Sequence, residues 1–210
     1  MPDRPPSAVD TVVLLYFLLV EESDLLLALV GEPIWVPLSV YDPSERTLPL
    51  EALRHLELLS EIRRAIRHFE VEEQRHADPR GPAQRLRVAD TLHAEGRLKV
   101  FELDARELLL AAQLQSREGA ALHGLRAPLG PGEAACLAVA WLRGWTLVTD
   151  DADALKVLES LAAGAAHPYD RIRRLLMRAA DSDLITKERS NEIHREMQSF
   201  GFWDSVLPFP

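Results

Sequence analysis

The sequence predicts an α/β protein in which helices cover both faces of a central parallel sheet. Three observations lead to this expectation. Short apolar segments alternate with amphipathic ones, glycines and prolines separate many of them, and acidic residues follow several of the apolar segments. Parallel strands need long crossover connections, which are usually helical, so this alternating order is typical of a parallel sheet flanked by helices.

The predicted strands are short and apolar. They cover residues 7–11, 34–36, 98–103 and 146–149. The apolar run 12–20 fits either a strand extension or a buried helix, because periodicity cannot separate the two in so short a run. A strand followed by a helix is favoured, since acidic residues end the run at 21–24. The predicted helices cover residues 25–30, 49–77, 83–95, a segment capped by Asp104, the segment that begins near Glu133, 153–161, 169–180 and 186–199.

The predicted helix over residues 49–77 suggests an insert. Apolar residues recur there at every third or fourth position, and an Asp-Pro-Arg-Gly-Pro break separates it from the next helix. We expect one domain over residues 1–164, with a helical insert at about 49–95. Residues 116–130 read as a loop, residues 164–168 as a linker, and residues 165–210 as a helical extension that packs on the domain.

Composition narrows the functional classes. A chain of 210 residues with 47% hydrophobic content can bury a substantial core. Its single cysteine, Cys136, excludes an intrachain disulfide and suits a reducing cytosol. The longest apolar run is too short to span a bilayer, and the first residues lack the order of a signal peptide. We therefore expect a cytoplasmic protein with no membrane partner.

The net charge of −9 argues against a general nucleic-acid binder, which usually carries a basic footprint. The arginines crowd two segments. In the first, at 54–87, acids lie between them and indicate a solvated helix face. In the second they are less interrupted and make better candidates for phosphate contacts: Arg171, Arg173, Arg174 and Arg178.

Acidic residues follow or flank separate strand ends: Asp10, Asp42, Glu133 and Asp151. The carboxyl ends of parallel strands meet at one edge of a sheet, where ligands collect. Clustered carboxylates repel one another unless a cation joins them, and oxygen ligands suit Mg²⁺ or Mn²⁺. Each acid also has a simpler interpretation as a turn, cap or first-turn residue, and Glu45 rivals Asp42. The predicted metal ligands are Asp10, Glu133, Asp150, Asp151 and Asp153, and the predicted catalytic acids are Asp10, Asp42, Glu133 and Asp151.

Other chemistries find less support. The seven histidines form no tight metal pair, so zinc is not expected. No local Ser–His–Asp signature and no glycine-rich phosphate loop is present. A phosphatase or receiver-like protein also gathers aspartates at strand ends. It would want a second acid at the position of Val12 or a lysine after the last strand, whereas Lys156 lies in the following predicted helix.

Three segments resemble a PIN domain: AVDTVVLLYFLL, IWVPLSVYD and GEAACLAVAWLRGWTLVTDDADAL. This family includes the VapC-type toxin ribonucleases of prokaryotic toxin–antitoxin pairs. The resemblance covers residues 8–161 in order and is most specific in the last segment. There Glu133 opens an alanine-rich helix, Gly144 ends it, and a short strand runs into Thr149-Asp150-Asp151.

The resemblance implies a three-layer α/β/α sandwich, an acidic pocket for Mg²⁺ or Mn²⁺, and cleavage of single-stranded RNA. By matching position, Asp10 is the first metal acid, Glu133 the third and Asp151 the fourth. The second slot reads Val40-Tyr41-Asp42-Pro43, with proline at the usual glutamate, so Asp42 is the nearest acid. We expect a metal-dependent endoribonuclease that acts as a toxin, with RNA and a protein antitoxin as partners and a homodimer as its form. The alternative is a catalytically weak PIN-like module that binds RNA or protein.

Overall fold

The computed structural model describes residues 5–47, 59–73 and 81–210. The described residues form a five-stranded sheet in the spatial order β3-β2-β1-β4-β5, and every neighbouring pair is parallel. The strands are β1 (Ser7–Val9), β2 (Ile34–Pro37), β3 (Leu98–Phe101), β4 (Thr146–Val148) and β5 (Tyr169–Asp170). The predicted α/β class with a central parallel sheet is confirmed.

Helices lie between the strands along the chain. They are α1 (Thr11–Leu19), α2 (Ser23–Val30), α3 (Glu61–Glu73), α4 (Pro82–Leu86), α5 (Val88–Ala94), α6 (Ala105–Leu114), α7 (Arg117–Leu122), α8 (Pro131–Arg143), α9 (Ala152–Ala162), α10 (Ile172–Asp181) and α11 (Lys187–Ser199). A 3₁₀ helix covers Pro43–Thr47. Among the described residues, no helix has the length and apolar content needed to cross a bilayer.

Two apolar cores lie on opposite faces of the sheet. Successive side chains of a strand point to opposite faces, and in β1 Ala8 and Val9 belong to different cores, as Leu147 and Val148 of β4 do. One core takes side chains from α1–α5, α10 and α11, and the other from α6–α9. The result is a helix–sheet–helix arrangement that agrees with the expected three-layer sandwich.

The residues after 164 contribute to both the sheet and the core. Tyr169 and Asp170 pair with Leu147 and Val148, so β5 extends the sheet beyond β4. Helices α10 and α11 supply fully buried side chains to the same core as α1 and α2: Ile172, Leu175, Leu176, Ala179, Ile193 and Met197. The ring of Phe202 packs edge-on against Tyr16 of α1, with ring centroids 5.1 Å apart.

Several predicted elements differ from the observed ones. Residues 59 and 60 are not helical, so a continuous helix over 49–77 is wrong at that point, while residues 48–58 and 74–80 lie outside the described part. The helix predicted over 83–95 is two helices that meet at Arg87. The predicted loop at 116–130 contains α7, which Ser116 caps by accepting a hydrogen bond from the amide of Gly119 at 2.9 Å. Residues 169 and 170 form a strand rather than the start of a helix.

Candidate functional site

Asp10 is a fully buried acid at the carboxyl end of β1. It caps α1, where its Oδ1 accepts a hydrogen bond from the amide of Val13 at 3.0 Å, and its Oδ2 accepts one from the hydroxyl of Thr149. Burial raises the pKa of Asp10 well above its usual value, although these two hydrogen bonds oppose the rise and nearby Glu133 and Asp150 add to it. A charged carboxylate here is costly to the apo fold, which favours a functional role.

Glu133 lies in the first turn of α8, which begins with Pro131 after the capping residue Gly130. Its Oε2 is buried and has no hydrogen-bond partner among the described residues. Burial raises the pKa of Glu133, its own backbone amide lowers it, and the negative charges of Glu61 and Asp151 raise it further. A buried carboxylate oxygen without a partner is rare in folded proteins and needs an explanation.

The hydroxyl group of Thr149 links Asp151 to Asp10. Its backbone amide donates to the hydroxyl oxygen of Thr149 at 3.0 Å, and the same hydroxyl donates to Asp10. The Oδ1 of Asp151 also accepts from the amide of Ala154 at 2.6 Å and so caps α9. Asp10 and Asp151 therefore lie near each other at the carboxyl edge of the sheet, and the charge of Glu133 reaches both of them.

A further acid, Glu61, lies beside these residues and is not among those predicted from the sequence; it is the first residue of α3. Its Oε2 accepts a hydrogen bond from the hydroxyl of Thr11, the residue after Asp10. A Cβ atom on Gly132 would lie only 3.2 Å from this oxygen, so the glycine leaves room for the carboxylate beside Glu133. We call Asp10, Glu61, Glu133 and Asp151 the acidic cluster.

Local contacts explain how Glu61 reaches the end of β2. Its amide donates to the carbonyl of Ser39 at 2.9 Å, just after that strand. The buried carboxylate of Glu45 accepts from the amide of Ser60 at 2.7 Å and from its hydroxyl at 2.5 Å, which fixes the start of α3. The signal in the sequence was Ser60 followed by an acid, a helix-start pattern that the apparent continuity of the 49–77 periodicity concealed.

The other three predicted acids make different contacts. The Oδ1 of Asp42 accepts from the amide of Ser44 at 2.8 Å, within the turn that begins the 3₁₀ helix. Asp150 is almost fully buried, but its two oxygens face Arg171 at 3.2 Å and the amide of Ile172 at 2.8 Å. Asp153 is partly exposed and pairs with Lys156 at 3.5 Å. Each of the three therefore has its own partner outside the acids gathered around Asp10, although the charge of Asp150 still reaches Asp10.

The acidic cluster fits a hard divalent cation in its chemistry. Asp10 is fully buried and Glu133 partly buried, burial raises the pKa of both, and the buried Oε2 of Glu133 has no partner among the described residues. In the described ranges 5–47, 59–73 and 81–210, the side chains as they stand form no group of three His, Cys, Asp or Glu ready to hold one ion. Mutual repulsion between these carboxylates opposes their closer approach until a cation offsets it.

Fold and site together define an α/β protein with four acids gathered at the carboxyl end of a parallel sheet. Comparison with protein-family models, curated proteins and solved structures gives no match to this chain.

The raised pKa values of Asp10 and Glu133 predict how the apo protein responds to pH. Both groups bind protons more tightly when folded, so their contribution to stability is greatest at low pH and is lost as pH rises through the folded pKa. In EDTA, the wild type should lose stability relative to Asp10→Asn over the pH range above 3.8, the usual pKa of an aspartate, by up to about 1.4 kcal/mol per pH unit for the one extra proton that Asp10 holds. Urea unfolding of both proteins across this range measures the difference. Parallel pH profiles would contradict the assignment of a buried, proton-binding Asp10.

Proposed function

We propose that this chain is a metal-dependent endoribonuclease of the PIN type, which cleaves phosphodiester bonds of single-stranded RNA with Mg²⁺ or Mn²⁺. The observation that carries the proposal is the unpartnered, buried Oε2 of Glu133 beside the buried carboxylate of Asp10. Apolar cores avoid such groups because a buried polar group without a hydrogen bond costs roughly 2–7 kcal/mol in transfer models, and an unpaired charge costs more. A bound cation would coordinate the free oxygen and so offset that cost.

The acidic cluster supplies the oxygen ligands. Asp10 and Glu133 would hold the ion, with Asp151 and Glu61 completing the set. A divalent ion in such a site polarises the phosphate and makes water more acidic. The chain itself orients the carboxylates: Thr149 donates to Asp10 and Thr11 donates to Glu61, while Gly132 keeps the space between Glu61 and Glu133 open.

The proposal extends to a biological role as a cytoplasmic toxin restrained by a protein antitoxin. The support for this is the resemblance of the three segments named above to the toxin ribonucleases, together with the single buried thiol of Cys136, which suits a reducing compartment. A homodimer belongs to the same proposal.

A second candidate function is a catalytically weak PIN-like module that binds RNA or protein. Two observations favour it: Pro43 stands where the resemblance expects a glutamate, and the described acids form no ready three-ligand group. The two candidates differ in one measurable property. A nuclease must bind a divalent ion at the acidic cluster, whereas a binding module need not.

Mn²⁺ titration tests the proposed function. We expect Mn²⁺ at a hundred times its dissociation constant to stabilise the wild type by about 2.7 kcal/mol, which corresponds to roughly 5–10 °C in melting temperature. Calorimetry and thermal unfolding should both register binding, and RNA should be cleaved in the same buffer. The matched control is Asp153→Asn, which removes a partly exposed carboxylate outside the cluster and should leave binding intact.

Asp10→Ala should abolish the stabilisation by Mn²⁺, because it removes the buried ligand at the end of β1. RNA binding with no Mn²⁺ binding and no cleavage would reject the nuclease and favour the binding module. Equal Mn²⁺ affinity in the wild type and in Asp10→Ala would show that the ion binds outside the acidic cluster and would also reject the proposal.

A further inference from the structure

A pocket of about 520 Å³ lies between the start of α10 and the C-terminal tail. Helix α10 and the residue before it contribute Arg171, Arg173 and Arg174, and the tail contributes Trp203 and Asp204. We call it the arginine pocket. Three arginines and one aspartate line it, whereas acidic residues outnumber basic ones in the chain as a whole, whose net charge is −9.

The three arginines differ in how far other contacts occupy them. Arg171 pairs with the buried carboxylate of Asp150 at 3.2 Å, and Arg174 pairs with the buried Asp170 at 3.5 Å. Within the described part of the chain, the guanidinium of Arg173 has no hydrogen bond or ion pair to a protein group. Arg173 is therefore the cation of the pocket that is free to bind an anion, and the planar guanidinium matches the geometry of phosphate as well as that of carboxylate.

Trp203 gives the pocket an aromatic wall. Its side chain is 56% exposed, although large aromatic groups are usually buried. The indole is anchored by the neighbouring ring of Phe202, 5.2 Å away between centroids, and Phe202 is itself buried in the core. An anchored and exposed indole beside a free guanidinium is the combination that binds an unpaired nucleotide, with the base stacked and the phosphate paired.

The arginine pocket adjoins the acidic cluster. Arg171 lines the pocket and contacts Asp150, whose neighbour in the chain is Asp151 of the cluster. The charge of Asp204 in the pocket wall is close enough to contribute to the raised pKa of Asp150, behind burial as the main cause. Both features lie at the carboxyl ends of β4 and β5, so one extended strand of RNA can contact both.

We propose that the arginine pocket binds one nucleotide of single-stranded RNA, with its phosphate on Arg173 and its base against Trp203, and so holds the strand across the acidic cluster. The inference deepens the proposed function and relies on it for RNA as the ligand. An acidic protein segment would pair with Arg173 as well, but it would gain nothing specific from the indole. Trp203 therefore distinguishes the two ligands.

The test measures binding of a fluorescein-labelled oligouridine to the full chain in EDTA, so that cleavage does not enter. Arg173→Gln should weaken binding about fivefold and reduce the slope of log affinity against log salt by about 0.7, the value for one phosphate of a single strand. Trp203→Leu should weaken binding by about five- to a hundredfold, whereas Trp203→Phe should keep most of the affinity. The matched control is Arg117→Gln, which removes the same charge from the exposed face of α7.

Three outcomes would overturn the inference. They are an Arg173→Gln variant that matches Arg117→Gln in affinity and salt slope, a Trp203→Leu variant that binds like the wild type, and a wild type that does not bind the oligouridine at all. The second outcome, with Arg173 still required, would show that the pocket contacts phosphate without stacking a base. Failure of the proposed function looks different: binding would depend on Arg173 and Trp203 while Mn²⁺ produced no cleavage. If Arg173→Gln and Trp203→Leu both cleaved RNA with the KM of the wild type, the role of the arginine pocket would be rejected and the proposed nuclease activity would remain.

Discussion

Replacing Glu133 or Glu61 by glutamine is expected to reduce Mn²⁺-dependent RNA cleavage by about a hundred- to a thousandfold, the usual cost of removing one charge-stabilising group from an active site. Glutamine keeps the size of each side chain but removes the negative charge that holds a cation. Glu61 accepts a hydrogen bond from Thr11 and lies beside Gly132, whereas Asp42 only caps its own turn. Asp42→Asn should therefore retain nearly the activity of the wild type.

This comparison decides which residue acts as the second acid. The measurement is the initial cleavage rate of a labelled single-stranded RNA as a function of Mn²⁺ concentration, with the melting temperature of each variant recorded alongside. Loss of activity in Asp42→Asn together with normal activity in Glu61→Gln would restore the assignment made from sequence position. Normal activity in Glu133→Gln would remove the basis for the nuclease itself.

The second large effect concerns stability. Arg143→Met is expected to lower the free energy of unfolding by about 3–5 kcal/mol, because it leaves a buried carboxylate unpaired. The side chain of Glu107 is only 1% exposed, and Arg143 donates to both of its oxygens at 2.6 and 2.7 Å. This pair joins the end of α8 to the start of α6, where Glu107 also accepts from the amide of Asp104. Urea unfolding at pH 7 measures the change.

An exposed pair of equal length provides the control. Arg97 pairs with Asp24 at 2.6 Å, but the Asp24 side chain is 83% exposed, so Arg97→Met should cost about 0–1 kcal/mol. In the Arg143→Met background, Glu107→Gln should recover part of the loss, since it removes the buried charge. Equal costs for Arg143→Met and Arg97→Met would show that water reaches Glu107 and would contradict the buried pair.

The sequence was sufficient for those parts of the site that local patterns encode. Asp10 and Glu133 each follow a strong local signal: an acid after a short apolar strand, and an acid in the first turn of a helix opened by proline. Glu61 was missed because its position depends on Glu45 holding Ser60, a contact across 15 residues that no periodicity reveals. Long-range partners of this kind are fixed by tertiary packing, which a single sequence does not specify.

The two adjacent aspartates after β4 are a second case in which the sequence alone does not specify the contacts of a side chain. Asp150 and Asp151 look alike in sequence, yet Asp150 pairs with Arg171 while Asp151 joins the cluster through Thr149. Which of the two turns toward the cluster depends on β5 and α10. A strand of two residues, Tyr169–Asp170, is too short for its side chains to alternate in a detectable pattern.

The position of β5 also bears on how this chain can be divided. A polypeptide ending near residue 164 would leave the outer side of β4 with open amide and carbonyl groups, ready to pair with another molecule. It would also expose the apolar sides of α1 and α2 to water, because α10 packs against α2 and α11 packs against α1. The segment that looks dispensable in sequence therefore supplies the outermost strand on this side of the sheet, and a shortened protein would expose β4 to pairing with other molecules.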